Sequence, residues 1–309
     1  MEIAIHNVGH GHCSVVTAPN GTRLMLDCGT RWSDETFWTP SLHYFQQQIA
    51  ALVPLNLDED HLADFGRVHD ECGVKLIITN PTIGTNEFRE LKGSDLGPGA
   101  EAYLKWLRAP KAVGVPASVN FGAVQVRWYY PFYGGACKTT NNLSLAVVCQ
   151  YADFKILFAG DLESHGWCAL MTHPQFVAEL ADINVAVASH HGRESGCHDD
   201  VFKILRPQAV IISDDQKQYE TQETDDWYRN RCEGVPLIGD PQKRRYVLTT
   251  RKDNSMRISV GPERWNIKWG IQEHEWPRYP SRKGTTLLTS SNVLTPPLGL
   301  SGLGLLAQR

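Results

Sequence analysis

The sequence predicts an α/β protein in which two β-sheets lie between outer layers of helices. Alternating and β-branched runs predict strands near the start of the chain, at Glu2–Asn7, Ser14–Thr17 and Arg23–Asp27. Short buried strands and helical segments then follow one another, and a strand pair returns at Tyr246–Thr250 and Met256–Val260. The predicted elements come in the order strands, βα units and strands again. This order favours a core of two sheets over one parallel sheet.

The middle of the chain supplies the βα units. A helix is predicted around Ser41–Ala51, and an apolar run predicts a short buried strand at Val74–Thr79. Leu143–Cys149 and Lys155–Ala159 have the pattern of two strands joined by a hairpin, and Val185–Ala188 is typical of a buried strand. We expect one domain over residues 1–265, with an insertion at about 32–72, followed by a C-terminal extension or tail at 266–309.

The composition is that of an ordinary globular protein. Hydrophobic residues make up 42% and charged residues 21% of the chain, and the net charge of −4 gives no basic field of the kind that marks nucleic-acid binders. No apolar run reaches the ~18 residues that a membrane span needs. The eight cysteines are scattered without a C-x-x-C pair, which favours free thiols, and the N-terminus lacks the pattern of a secretory signal. We therefore expect a cytoplasmic protein without a membrane partner.

Histidine and aspartate residues lie in clusters at the ends of predicted strands. There are three such clusters. The first contains His10 and His12, the second contains Asp161, and the third contains His190 and His191. Imidazole and carboxylate groups are the usual ligands of zinc and similar metals, so the clusters are candidate metal ligands. Each also has a plainer interpretation, because a Gly-Asp pair after a strand often forms only a turn and paired loop histidines are often structural.

In their order along the chain, these clusters resemble the motifs of ComEC-like proteins, the metallo-β-lactamase-fold hydrolases related to the nuclease part of the DNA-uptake protein ComEC. The matching segments are His6–His12, Leu26–Gly29, Asn141–Leu145, Phe158–Asp161 and Ala188–Arg193. The resemblance implies a metallo-β-lactamase-type αββα sandwich, in which two mixed β-sheets are flanked by helices. It also implies a metal site along one edge, zinc or manganese as the cofactor, and a nucleic acid or nucleotide phosphodiester as the substrate.

One loop departs from the family pattern. In the family, the strand that matches Val74–Thr79 leads into a loop of the form His-x-His/Asp-x-Asp-His, which supplies most ligands of the first metal. At those positions this chain has four residues without imidazole or carboxylate groups: Asn80, Thr82, Gly84 and Thr85. Because a catalytic zinc needs about three protein ligands, the ordinary dinuclear site is expected to be absent or much weakened.

A rearranged metal site is the alternative. Residues two apart on a strand share a face, so His10 and His12 could join Asp161 and His190 as ligands. In this interpretation Asp161, His190 and His191 carry the catalysis. The plainer interpretation places the N-terminal histidines behind the ligands or on the surface.

Substrate contacts are assigned to Asn142, Arg193 and Asp27. An arginine can bind a phosphate through two hydrogen bonds, and the other two residues lie in motifs that border the implied site. An amide that satisfies backbone groups, an ordinary salt bridge and a turn cap are the respective alternatives.

The sequence leaves two functions open and does not decide whether the chain is an enzyme. In the first, the ligand loop is lost and the chain is a pseudoenzyme, a binding or regulatory subunit with a protein partner in a multi-protein system. In the second, the chain is an active phosphodiesterase or nuclease that uses a rearranged site built on Asp161, His190 and the N-terminal histidines.

Overall fold

Two mixed β-sheets between layers of helices form the described part of the chain, as the sequence predicted. The computed structural model describes residues 1–32, 37–109, 119–217, 220–238, 240–272 and 275–276.

The strands in these residues are short, and most have two to six residues. In chain order they are β1 (Glu2–Ile5), β2 (Ser14–Thr17), β3 (Arg23–Leu26), β4 (Arg31–Trp32), β5 (Phe37–Trp38), β6 (Ile49–Val53), β7 (Leu76–Ile77), β8 (Gln125–Tyr129), β9 (Ala146–Tyr151), β10 (Phe154–Phe158), β11 (Val185–Val187), β12 (Ala209–Ile212), β13 (Val235–Leu237), β14 (Asp240–Arg245), β15 (Val247–Thr249), β16 (Ser255–Val260) and β17 (Trp265–Ile271).

The first sheet has the strand order β17-β16-β1-β2-β3-β6-β7, and the second has the order β15-β12-β11-β10-β9-β8. In the first sheet β3, β6 and β7 run parallel and the other neighbours are antiparallel. In the second sheet β10, β11, β12 and β15 run parallel, and β8 and β9 are antiparallel additions. Two small hairpins, β4–β5 and β13–β14, complete the topology.

The helices lie on the outer faces of the two sheets. In chain order they are α1 (Pro40–His43), α2 (Glu59–Leu62), α3 (Phe65–Glu71), α4 (Thr85–Lys92), α5 (Pro98–Arg108), α6 (Ser164–Met171), α7 (Pro174–Leu180), α8 (Asp199–Leu205), α9 (Asp225–Arg229) and α10 (Thr250–Asp253). In the ranges given above, no helix combines the length and the apolar character that crossing a membrane requires.

Three apolar clusters hold the four layers together. The strand periodicity of two places alternate side chains in different clusters. Along β9, Val147 and Cys149 belong to the core between the sheets, whereas Ala146 and Val148 belong to the core under α6–α8. A third cluster, which includes Phe65 of α3, fills the space between the first sheet and its helices. The result is an αββα sandwich.

The prediction of one helix over Ser41–Ala51 is wrong. A short helix, α1, ends at His43, and the strand β6 begins at Ile49. All five residues of β6 are buried, because the strand lies inside the sheet between β3 and β7. A strand buried on both faces is a continuous apolar run, and periodicity alone does not separate such a run from a buried helix.

The segment 32–72, predicted as an insertion, includes β6 and therefore contributes an internal strand to the first sheet. At the other end, β17 pairs with β16 and carries the same sheet beyond the expected domain boundary at residue 265. Residues 277–309 of the predicted tail lie outside the described residues.

One edge of the sandwich collects the ends of parallel strands from both sheets. The backbone N–H of Leu145, before β9, donates to the carbonyl oxygen of Leu55, after β6, at 2.8 Å. The hydroxyl of Ser213, after β12, donates to the carbonyl oxygen of Gly11 at 2.9 Å. Loops from the two sheets therefore meet at this edge, where rigid strands position the side chains that follow them.

Candidate metal centre

Four acidic and histidine side chains converge at this edge: Asp60, His61, Asp161 and His191. Each offers one ligand atom, and the four atoms lie within 4.8 Å of one another. Asp60 and His61 are in α2, just after β6, whereas the other two follow β10 and β11. The centre therefore joins the two sheets. Three of the side chains are buried, and that of Asp60 is 24% exposed.

The orientation of His61 is fixed from behind by Asp27. The His61 Nδ1–H donates to Asp27 Oδ2 at 2.7 Å, because a carboxylate only accepts. Asp27 has a positive φ of 59° and its other oxygen accepts from the backbone N–H of Leu55 at 2.6 Å. A carboxylate in this position fixes the tautomer and the ring of a metal-binding histidine, so that Nε2 faces the centre with its lone pair.

His191 is fixed in the same way by a backbone carbonyl. Its Nδ1–H donates to the carbonyl oxygen of Ser213 at 2.9 Å. The imidazole of His191 is positioned by an unusual turn. In this turn His190, His191 and Gly192 all have positive φ, at 50°, 53° and 73°. Left-handed backbone at non-glycine residues is unfavourable and persists where surrounding contacts enforce it, often at functional sites.

The ligand atoms lie close enough together to bind a single ion. His61 Nε2 lies 3.1 Å from Asp161 Oδ1 and 3.8 Å from Asp60 Oδ2. His191 Nε2 lies 3.1 Å from Asp60 Oδ2 and 3.5 Å from Asp161 Oδ2. Four ligands about 2.0–2.1 Å from a zinc ion stand about 3.3–3.4 Å from one another in a tetrahedron.

The donor chemistry fits a cation as well. The two Nε2 atoms face each other at 3.3 Å, and both rings have already given their Nδ1 protons to acceptors. Asp161 Oδ1 is buried and has no hydrogen-bond partner among the described residues. Two imidazole nitrogens that face each other beside carboxylate oxygens attract positive charge, which either bound protons or a divalent metal ion can supply.

The ionisation of these groups shows the same attraction for positive charge. Burial alone would lower the pKa of both histidines, but nearby carboxylates, led by Asp161, raise the pKa of His61 well above its ordinary value and that of His191 to about 10. Burial likewise opposes ionisation of the aspartates, yet the two imidazoles lower the pKa of Asp60 and of Asp161. A metal ion at this centre competes with protons on the imidazoles.

His12 is buried behind this centre. It lines a small cavity together with His61, Asp161 and His191, and its Nε2 has no hydrogen-bond partner in the described part of the chain. Burial, together with the neighbouring imidazoles, lowers the pKa of His12 to about 3, so the ring is neutral. His12 lies outside the four-residue cluster, so its role as a ligand stays a prediction.

His10 lies at the solvent-exposed mouth of the centre. Its Nε2 is 3.4 Å from Asp60 Oδ2, and its ring centroid is 4.5 Å from that of His191. The side chain is 46% exposed. His10 therefore borders the centre on its open side, outside the group of four ligands.

His190, predicted as a ligand, turns away from the centre. Its Nδ1 lies 2.7 Å from Ser195 Oγ and 3.3 Å from Glu163 Oε1. The successive left-handed residues at 190 and 191 point their two side chains in different directions. Of the two adjacent histidines, His191 belongs to the four-residue cluster and His190 lies outside it.

The residues predicted to contact substrate have partners within the protein. The Asn142 amide donates to Thr139 Oγ1 and Glu163 Oε2 and accepts from the N–H of Gly166, which fixes the start of α6. Asp27 holds His61. Arg193 follows the His190–Gly192 turn, and its charge helps to lower the pKa of His10, although burial is the main cause.

The loop at residues 80–85, predicted as the degenerate ligand loop, is structural. Asn80 donates to the carbonyl oxygens of Pro131 and Leu143 and accepts from Thr82. The N–H of Gly84 donates to Glu87 at the start of α4, whose first residue is Thr85. None of the four residues belongs to the cluster.

The candidate ligands that the sequence interpretation missed are Asp60 and His61. The segment Asn56-Leu57-Asp58-Glu59-Asp60-His61 ends in the Asp-His pair of the expected loop and has Asn56 and Asp58 at its first two ligand positions. The signal was present, but the resemblance placed the expected loop after Val74–Thr79, which contains β7.

The first two positions of this segment are engaged by neighbouring side chains. The Asp58 carboxylate pairs with the Lys92 ammonium and accepts from Thr140 Oγ1 at 2.6 Å. The Asn56 amide donates to Asn141 Oδ1 at 2.9 Å. The Asp58 carboxylate is thus neutralised by a lysine of the protein itself.

No protein-family model matches the sequence, and no curated protein does. Among solved structures, similarity is found to the metallo-beta-lactamase fold protein YhfI from Bacillus subtilis, with a TM-score of 0.44, 10% identity, and coverage of 81% of this chain and 96% of that one. A mutant of CmlA beta-hydroxylase gives a TM-score of 0.47 and 13% identity over 84% of this chain and 54% of that one. A diphosphatase from the PhnP family gives a TM-score of 0.42 and 8% identity, with coverage of 84% of this chain and 98% of that one.

At such low identities and TM-scores, these similarities carry no conclusion about this chain. The described chain is an αββα sandwich of two mixed sheets.

Proposed function

We propose that this chain is a metal-dependent hydrolase with one divalent ion held by Asp60, His61, Asp161 and His191. The observation that carries the proposal is the pair of imidazoles whose Nε2 atoms face each other at 3.3 Å while both Nδ1–H groups are held by acceptors. Two imidazole nitrogens and two carboxylate oxygens suit zinc or manganese.

The surroundings of the centre support hydrolysis. A divalent ion supplies Lewis-acid chemistry, since it activates water as a nucleophile near neutral pH and polarises the scissile ester. Asp27 and the Ser213 carbonyl hold the two histidines in place, and the partly exposed Asp60 leaves the centre open to solvent beside His10. The open side is where a substrate would approach.

A single ion is favoured over two. A second ion beside Asp60 would need the Asp58 carboxylate, which is already neutralised by Lys92 and hydrogen-bonded by Thr140. The neighbouring Asn56 and Asn141 offer neutral amides that bind each other. Removing Asp58 from its ammonium partner would leave a part-buried positive charge without compensation, which is unfavourable.

The resemblance to ComEC-like hydrolases supports a phosphodiester as the substrate class. The hypothesis of a pseudoenzyme depended on the loss of the ligand loop at residues 80–85. Since Asp60 and His61 occupy the end of that motif instead, the binding or regulatory subunit becomes the outcome to exclude.

Metal analysis combined with a hydrolysis assay tests the proposal. Purified protein is loaded with zinc or manganese, desalted, analysed for metal content and assayed with bis(p-nitrophenyl) phosphate. We expect about one ion per chain, hydrolysis that chelator abolishes and metal restores, and loss of both in Asp161→Ala. A protein that retains neither ion and cleaves no phosphodiester would instead support a binding subunit.

A further inference from the structure

The carbonyl that holds His191 belongs to Ser213, and its position depends on the residues that follow it. Ser213 is the first residue after β12, and β12 pairs in parallel with β15. Thr250 directly follows β15. The two strand ends therefore lie side by side directly behind His191.

The hydroxyl of Thr250 forms two hydrogen bonds with the backbone of Asp214, the residue after Ser213, as an acceptor and as a donor. Thr250 Oγ1 accepts from the backbone N–H of Asp214 at 2.9 Å and donates to the carbonyl oxygen of Asp214 at 2.8 Å. The Asp214 N–H belongs to the same peptide unit as the Ser213 carbonyl. Because that unit is planar, fixing its N–H also fixes the direction of the carbonyl that binds His191.

An ion pair made by Arg251, the residue after Thr250, also holds Asp214. The Asp214 carboxylate, 1% exposed, pairs with the guanidinium of Arg251, which also binds Asp225 at 3.0 Å. Arg251 follows Thr250 directly, so one short segment holds Asp214 by both backbone and side chain. Breaking a buried ion pair on one side is strongly destabilising, which keeps the segment in place.

We propose that Thr250 is a positioning residue of the metal centre, acting through the Asp214 peptide and the Ser213 carbonyl on His191. The path consists of two hydrogen bonds at 2.9 Å, one from the Asp214 N–H to Thr250 and one from His191 to the Ser213 carbonyl, joined by the peptide unit between Ser213 and Asp214. The hydroxyl is fully buried. This inference rests on the proposed function, since it presumes a metal bound by His191.

Substitution of Thr250 by valine removes the hydroxyl and keeps the shape. The matched control is Thr249→Val, because Thr249 is also buried but uses its hydroxyl to cap α10 through the N–H of Lys252. Thr250→Ser, which keeps the hydroxyl, is the conservative variant. All are titrated with Co²⁺ and examined by visible absorption, which reports the geometry and strength of coordination.

We expect Thr250→Val to weaken Co²⁺ binding about tenfold and to change the Co²⁺ spectrum, as loss of supporting contacts does in other metal sites. Thr249→Val and Thr250→Ser should keep the wild-type affinity and spectrum. An unchanged Co²⁺ affinity and spectrum in Thr250→Val would overturn the positioning role, as would equal changes in Thr249→Val. Failure of the wild-type protein to bind Co²⁺ would instead reject the metal centre itself.

Discussion

At the scale of single residues, orientation separates ligands from their neighbours. His190 and His191 are adjacent in the chain, yet only the second faces Asp60 and Asp161. The first is held by Ser195 and Glu163. Composition and spacing cannot make this distinction, because it depends on two left-handed residues in a row.

His191→Ala and His190→Ala therefore form a matched pair. We expect His191→Ala to weaken zinc binding and to lose most hydrolysis, because one of the two imidazole ligands is removed and Asp60 loses its nearest imidazole. His190→Ala should retain about one zinc per chain. Metal analysis after desalting measures both variants, and equal zinc loss in the two would contradict the assignment.

Asp27 offers a test that leaves the ligands untouched. In Asp27→Asn the amide nitrogen or oxygen must face the Nδ1 of His61, and neither reproduces the charged acceptor. We expect zinc affinity or activity to fall about 10–100-fold. Asparagine tolerates the left-handed backbone at this position, where φ is 59°, so the variant should fold. Wild-type affinity in a competition titration would show that Asp27 does not support His61.

Zinc binding should also release protons. The pKa of His191 is raised to about 10 and that of His61 is raised as well, so both rings hold protons near neutral pH until a metal displaces them. The affinity for zinc should therefore increase as the pH rises from about 6 to 9. Calorimetric titration in two buffers with different ionisation enthalpies measures the release, and a heat that is the same in both buffers would exclude it.

At the scale of elements, the strands that carry the site could be predicted only in part. Alternation identified β1, β9 and β10, since each has different environments on its two faces. It could not identify β6, whose five residues are all buried. Without β6, the segment from Asn56 to His61 did not stand at the end of a predicted strand.

The packing of Gly29 shows how closely the loops at this edge approach one another. A Cβ atom at this position would collide with the carbonyl oxygen of Asp60 and lie 2.8 Å from that of His12. We expect Gly29→Ala to destabilise the fold by ~1–3 kcal/mol and to weaken zinc binding by displacing Asp60. Gly261→Ala is the control, since its Cβ would meet only Arg264 at 3.5 Å. Thermal unfolding and zinc titration compare them, and similar values for the two variants would argue against this packing.

At the scale of the whole molecule, the site is made by the meeting of two sheets. Its four ligands come from segments about residues 60, 161 and 191, which are far apart in sequence. Residue patterns predicted the layers, because burial sets the periodicity of each strand. They could not predict which loops meet, since this depends on sheet order and on which strands run parallel; the motif resemblance supplied only Asp161 and the two adjacent histidines.

A metal ion that binds both sheets should stabilise the whole fold. Asp60 and His61 follow a strand of the first sheet, and Asp161 and His191 follow strands of the second. Zinc at a hundred times its Kd stabilises the folded state by about 2.7 kcal/mol, which raises the Tm of a chain of this size by ~5 °C. Scanning calorimetry with zinc and with chelator measures the shift. Asp161→Ala should unfold at the same temperature in both conditions, and an equal zinc effect in that variant would place the stabilising ion elsewhere.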